Sequence, residues 1–214
     1  DLSRVAWLPI LYGAVLTPRP PRSAHLYQQV WTEKGSPLLV TTMAQADGLR
    51  KKLGVPVVVG MRYGNPSIRS AVDALVAEGV DRILAFPMYP QYAGATTGSS
   101  LECLYKELAP RRVVPSVRVV PPYYADPLYI GALASVTRAS ISAAALAPEH
   151  LVISFHGIPK RYADEGDPYP AHCAETATLL SRMLGWPADR ITQSFQSRFG
   201  REEWLQPYTD ATFL

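Results

Sequence analysis

At 214 residues with 48% hydrophobic side chains, the chain can bury a sizeable core as one large domain or two small ones, which excludes a disordered polymer. A formal charge of +3 with no long Lys/Arg run argues against a nucleic-acid partner. Its 2 cysteines, Cys103 and Cys173, lack CxxC spacing and exclude a disulfide framework, so each reads as a small buried hydrophobe in a reducing compartment.

The apolar stretch Val5 to Leu16 is interrupted by Pro9 and Gly13 and is far too short to span a bilayer, so it reads as an amphipathic or buried helix. The first residue is Asp1 and no signal pattern precedes it, which reads as a processed or cut terminus. A Pro-rich segment, Pro18 to Pro21, leads to a helix beginning near Ser23, and Ser36 to Leu53 reads as a further helix closed by Gly54. Short β-branched runs then alternate with helical patterns. The expected strands are Val55 to Gly60, Arg82 to Phe86, Val117 to Val120, Leu151 to Phe155 and Arg190 to Phe195. Between them, Pro66 to Glu78, Thr97 to Leu108, Pro127 to Ala145 and Pro170 to Leu184 carry helical spacing. Such alternation needs crossover connections and a mostly parallel sheet, so the fold class is α/β.

The segments just past the strands share a regular character. The strands run into Met61-Arg62-Tyr63-Gly64-Asn65-Pro66, Pro87-Met88-Tyr89-Pro90-Gln91-Tyr92, Pro121-Pro122-Tyr123-Tyr124, His156-Gly157-Ile158-Pro159 and Gln196-Ser197-Arg198-Phe199-Gly200. Open α/β sheets bind ligands beyond the carboxyl ends of their strands. Flat rings and rigid guanidinium donors at that edge suit a large planar anionic ligand. His156 follows the apolar, strand-like run Leu151 to Phe155, where an imidazole can move a proton near neutral pH or ligate a metal. His25, His150 and His172 have no comparable context and read as surface or helix residues, while Glu165 and Asp167 read as turn formers. Thr96 to Ser100 could hold an anion at a helix N-terminus or simply cap that helix. The sequence has no GxGxxG after a strand, no GxxxxGK[ST], no GxSxG, no HExxH and no clustered Cys/His set.

SFHGIP with Gly166-Asp167-Pro168-Tyr169-Pro170, YPQYAGATTGSS from Tyr89, MRYGNP from Met61, GSP from Gly35 and QSRFGREEWLQPYTD from Gln196 together resemble ferrochelatase of the bacterial type. The resemblance implies two flavodoxin-like parallel-sheet domains, 1–148 and 149–214, with a hinge at Ala143 to Glu149 and a porphyrin cleft between them. It implies a lyase-class metal chelatase that inserts Fe(2+) into protoporphyrin IX in haem biosynthesis. On it, His156 is the active-site base or metal ligand, and Arg62, Tyr63 and Tyr92 lie near the macrocycle and metal route, Tyr92 with a catalytic role. Arg19, Arg22 and Ser36 match the lip that holds propionates, and Trp204 matches the cleft wall. The family's opening strand and Gly-Thr-Pro loop do not precede Asp1 and its pattern stops after Asp210, so a fragment with an incomplete second domain is expected. No cofactor and no iron–sulfur cluster are expected, and the implied location is the cytoplasm, with peripheral membrane contact and oligomeric state left open. The alternatives are coproporphyrin as substrate, a non-catalytic porphyrin- or haem-binding module, and an unrelated α/β domain using His156 for acid–base work.

Overall fold

A computed structural model describes residues 19–145, 147–198 and 200–213, with the side chains of 19–23 and 26 outside the description. The expected helix Val5 to Leu16 therefore lies outside the described residues, as do Phe199 and Leu214. The chain divides into two compact units between Ala77 and Glu78, and residues on both sides of 148 belong to the second.

In the first unit, α1 (Arg19–Val30) starts earlier than the expected Ser23. Pro20 and Pro21 fall in its first turn, where no intrahelical N–H is needed and a fixed φ helps, so they begin the helix rather than precede it. Helix α2 (Pro37–Leu53) opens with a proline after Ser36 and closes at Gly54, whose φ of 65° lets its N–H reach the Arg50 carbonyl. The Arg50 guanidinium donates to the Val57 carbonyl at 2.6 Å, fixing the segment after the helix. That segment, Val55 to Gly60, is not the strand its β-branched residues suggest: among the described residues it has no neighbour to form a ladder with. A strand is a paired object, and Pro56 also lacks a donor. Helix α3 (Ile68–Ala77) follows, burying Ile68 and Val72.

The second unit holds the sheets. Strands β1 (Arg82–Ala85) and β2 (Ser116–Val119) pair in parallel, Arg82 opposite Ser116 and Ala85 opposite Val119. A π-helical turn, Gly94–Gly98, and α4 (Ser99–Leu108) connect them, so the helix expected from Thr97 begins with a wider turn. Helix α5 (Pro127–Ala143) is capped by Asp126, whose carboxylate accepts the Leu128 N–H at 2.9 Å and the Tyr129 N–H at 3.3 Å. Strands β3 (Leu151–His156) and β4 (Ile191–Gln196) also pair in parallel, with His156 opposite Gln196. Between them run α6 (Lys160–Asp164) and α7 (Tyr169–Leu184). A last short helix is α8 (Thr209–Thr212). Ile130 and Ala134 of α5 and Leu180 of α7 form a buried cluster, with Tyr129, Leu133, Ile153, Leu179 and Leu184 packed around it. Parallel strands joined by helices place the chain in the α/β class, as the sequence indicates.

Candidate active site

The apolar side chains of β3 are half-buried, and His156 is its last residue, exposed at the carboxyl end. Its Nδ1 lies 2.7 Å from the Gly157 carbonyl oxygen. A carbonyl only accepts, so Nδ1 carries a hydrogen, and in a neutral ring so bonded the lone pair lies on Nε2. The ladder continues one step past the strand through the Gly157 N–H to the Gln196 carbonyl at 2.8 Å.

The chain after His156 is then clamped by the 203–205 segment. Lys160 N–H donates to the Glu203 carbonyl at 2.9 Å and Leu205 N–H to the Ile158 carbonyl at 3.0 Å, while Pro159 and Trp204 form a bridge. Trp204 is thereby seated beside Gly157. A Cβ on Gly157 would lie 3.1 Å from the Gln196 oxygen and 3.3 Å from Trp204 Cε3, tighter than ordinary contact on two sides. Gly157→Ala should cost about 1–2 kcal/mol in denaturant titration, in the range of overpacking, and shift Trp204 fluorescence. An unchanged midpoint and spectrum would show that the clamp yields freely.

A second knot joins the loop after β1 to α7. The Asp167 carboxylate accepts the Gly94 N–H at 2.8 Å and the Tyr169 N–H at 3.0 Å, so it shapes a turn as expected and also reaches the β1 loop. His172 Nδ1 accepts the Tyr92 N–H at 3.1 Å, and its ring stacks on Tyr124 with centroids 3.8 Å apart and planes 12° apart. His172 is a helix residue, as expected, and it is also partly buried and bonded across the fold. Burial pushes its pKa down, against the opposing pull of Glu175 and Asp167. The Thr176 hydroxyl accepts from the Gln91 side-chain amide at 2.9 Å and lies 2.9 Å from both the Tyr124 and His172 carbonyls. Nothing in the local pattern of Gln91, His172 or Thr176 signals these partners, because each pairing crosses most of the unit.

Aromatic rings do gather beyond β1 and β2. Phe86 meets Tyr123 at 5.4 Å and Tyr123 meets Tyr129 at 5.6 Å, both edge to face. Burial, with Tyr129 adding to it, raises the Tyr123 hydroxyl to about 12, so it stays neutral. Cys173 is fully buried and its thiol is raised to about 12 by burial, so it serves as packing rather than as a thiolate ligand.

Beside this knot is a cleft of about 490 Å³, lined by Tyr92, Gly94 and Ala95 of the segment after β1 and by Tyr162, Glu165 and Asp167 of α6 and the turn after it. His156 is not among its lining residues. Tyr92 is held by backbone as well as by fit, since its hydroxyl sits 3.1 Å from where a Gly98 Cβ would be. The Thr96 to Ser100 hydroxyls do not cap α4, whose N-terminus has no side-chain cap, and Thr97 Oγ1 is buried without a hydrogen-bond partner. Among the described residues, no group of three or more His, Cys, Asp or Glu side chains is gathered to hold a metal ion.

The structure thus places His156, Tyr92 and Trp204 in the second unit. Ser36, Arg62 and Tyr63 belong to the first, where Ser36 precedes α2 without capping it and Arg62 stacks over the exposed Tyr63 ring at 4.6 Å. Arg19 and Arg22 are in the opening turns of α1, with side chains outside the description.

The model of the ferrochelatase family matches residues 1–214. Ferrochelatase of Vibrio atlanticus (strain LGP32) is 52% identical over 212 residues, which is 99% of this chain and 66% of that protein. Ferrochelatase of Mesorhizobium japonicum is 49% identical over 218 residues, 99% of this chain and 62% of that protein. The chain therefore spans just under two thirds of the length of these relatives. Among solved structures, SirB from Bacillus subtilis with Fe3+ superposes with a TM-score of 0.59 at 18% identity, covering 80% of this chain and 62% of that one, a likeness of fold. With a family match along its whole length and a parallel α/β fold that ends a strand in His156, the chain belongs to the ferrochelatase family.

Proposed function

We propose that this chain is part of an enzyme that inserts ferrous iron into protoporphyrin IX, with iron and porphyrin as substrates. The observation that carries the reading is the place of His156 at the carboxyl end of β3 with Nδ1 2.7 Å from the Gly157 carbonyl, an arrangement that leaves Nε2 to act as a base or metal ligand. Two pyrrole N–H protons must leave as the ion enters, and a planar ring hides its lone pairs, so the site must bend the macrocycle and accept protons. Nε2 supplies the first acceptor. Tyr92 and Trp204 offer flat faces to the macrocycle, Arg62 and Tyr63 line the metal route, and Arg19, Arg22 and Ser36 hold the propionates by charge-assisted hydrogen bonds. The work requires no resident cofactor. No described helix is long and apolar enough to cross a membrane, and the reading places the protein in the cytoplasm.

The test is absorbance titration of the protein carrying this chain with protoporphyrin IX and with coproporphyrin, alongside zinc-insertion fluorescence. Tighter binding and faster insertion with protoporphyrin are expected, and Arg19→Ala with Arg22→Ala should weaken binding more at low salt than at high. No spectral change with either porphyrin overturns the reading. Binding without insertion leaves a porphyrin-binding module, and preference for coproporphyrin changes the substrate.

A further inference from the structure

We propose that His172 is a positioning residue whose neutral imidazole fixes the loop bearing Tyr92, making one wall of the cleft sensitive to protons. Four geometric facts support it. The Tyr92 N–H points at His172 Nδ1, 3.1 Å away, so that nitrogen must be unprotonated while the loop is seated. The ring is locked between this bond and the face of Tyr124. His172 and Thr176 lie one turn apart on α7, and Thr176 takes the neighbouring Gln91 side chain, so two successive loop residues are tied to one helix face. Two residues on, Gly94 is tied to Asp167 instead, which gives the loop a second anchor on a carboxylate rather than on the imidazole.

The proton sensitivity is a matter of hydrogen-bond inventory. A proton on Nδ1 would set one N–H against another, so the ring can take it only after the Tyr92 amide has let go. The groups facing the ring are Glu175 on its own helix, Asp167 in the preceding turn, Tyr124 from the loop after β2 and the backbone of Tyr92. The two carboxylates favour the charged ring, and burial outweighs them. The sign is that of a depressed histidine: the anchor is at full strength above the ordinary imidazole range, and the open state binds the extra proton below it, so the loop weakens as pH falls. Taking about 6.5 for the released ring, the opening equilibrium should rise about tenfold by about pH 5.5.

Tyr92 matters to metal insertion only if the proposed function is right, whereas the anchor does not depend on it. The experiment therefore reads the anchor without substrate. Amide exchange at Tyr92 and Gly94, corrected for the intrinsic pH dependence of exchange, is measured on the protein carrying this chain from about pH 7.5 to about pH 5.5, with ring 15N shifts of His172. Tyr92 protection should fall about tenfold across this range while Gly94 changes less, and the shifts should show Nδ1 unprotonated at the upper end. His172→Gln, whose amide oxygen can accept the same N–H without titrating, should hold protection flat across the range, and His172→Ala should lose it at both ends. If His172→Ala fails to fold, the parent and His172→Gln comparison still decides. Flat protection in the parent, a parent-like acid loss in His172→Gln, or a protonated Nδ1 at neutral pH each overturns the proposal. Loss of porphyrin binding with the anchor intact would instead count against the function.

Discussion

His156→Ala should abolish zinc insertion into protoporphyrin while leaving porphyrin affinity within about tenfold, or about 1.4 kcal/mol. The histidine is exposed at the end of β3, and its observed hydrogen bond goes to the carbonyl of the very next residue. Removing it takes the donor from the carbonyl of the buried Gly157, so the thermal midpoint should fall modestly, by the equivalent of about 1 kcal/mol. What disappears is a lone pair fixed at the strand end. A positioned general base is worth roughly 10²–10⁴ in rate, enough to take insertion below detection in a fluorescence assay. Near-parental turnover would remove His156 from the mechanism. A joint loss of stability, binding and turnover would make it a structural residue.

Ile130→Ala should lower stability by about 2–4 kcal/mol. Ile130 is 2% exposed in α5, and with Ala134 and Leu180 it makes the buried contact between α5 and α7. Truncation removes the methyl and ethyl groups and leaves a cavity whose walls, including Leu180 and Ile153, belong to a helix and a strand that cannot easily close in. Against a typical total of about 5–15 kcal/mol, the loss is large. Urea titration should show a lower midpoint with an unchanged slope. A change under about 1 kcal/mol would mean that α7 is held mainly by its polar ties to the β1 and β2 loops.

These two sites differ in how plainly the sequence announces them. Leu151 to Phe155 is a short apolar run broken by Gly157 and Pro159, so strand, end and exposed imidazole follow from local chemistry alone. Gly54 marks the end of α2 for a similarly local reason. Val55 to Gly60 has the same β-branched character and still forms no ladder among the described residues, since pairing depends on a neighbour rather than on propensity. The first turn of α1 is hidden because Pro20 and Pro21 resemble a loop until their position in the helix is known. Helices α6 and α8 are too short for periodicity to register. The ties of Asp167, His172 and Thr176 escape sequence reading altogether, because a carboxylate, an imidazole or a hydroxyl carries no mark of a partner dozens of residues away.

That distance has a bearing on biogenesis. Gln91, Tyr92 and Gly94 find their partners 85, 80 and 73 residues downstream. Closing a loop of that length carries a chain-entropy cost of about 4 kcal/mol, recovered only when several ties form together. Until Asp167, His172 and Thr176 have left the ribosome, the β1 loop lacks these three ties and keeps only earlier ones such as the Tyr123 N–H to the Pro90 carbonyl at 3.0 Å. The cleft is therefore a late product of synthesis, assembled when α7 arrives, and nascent chains shorter than this cannot capture a ligand there.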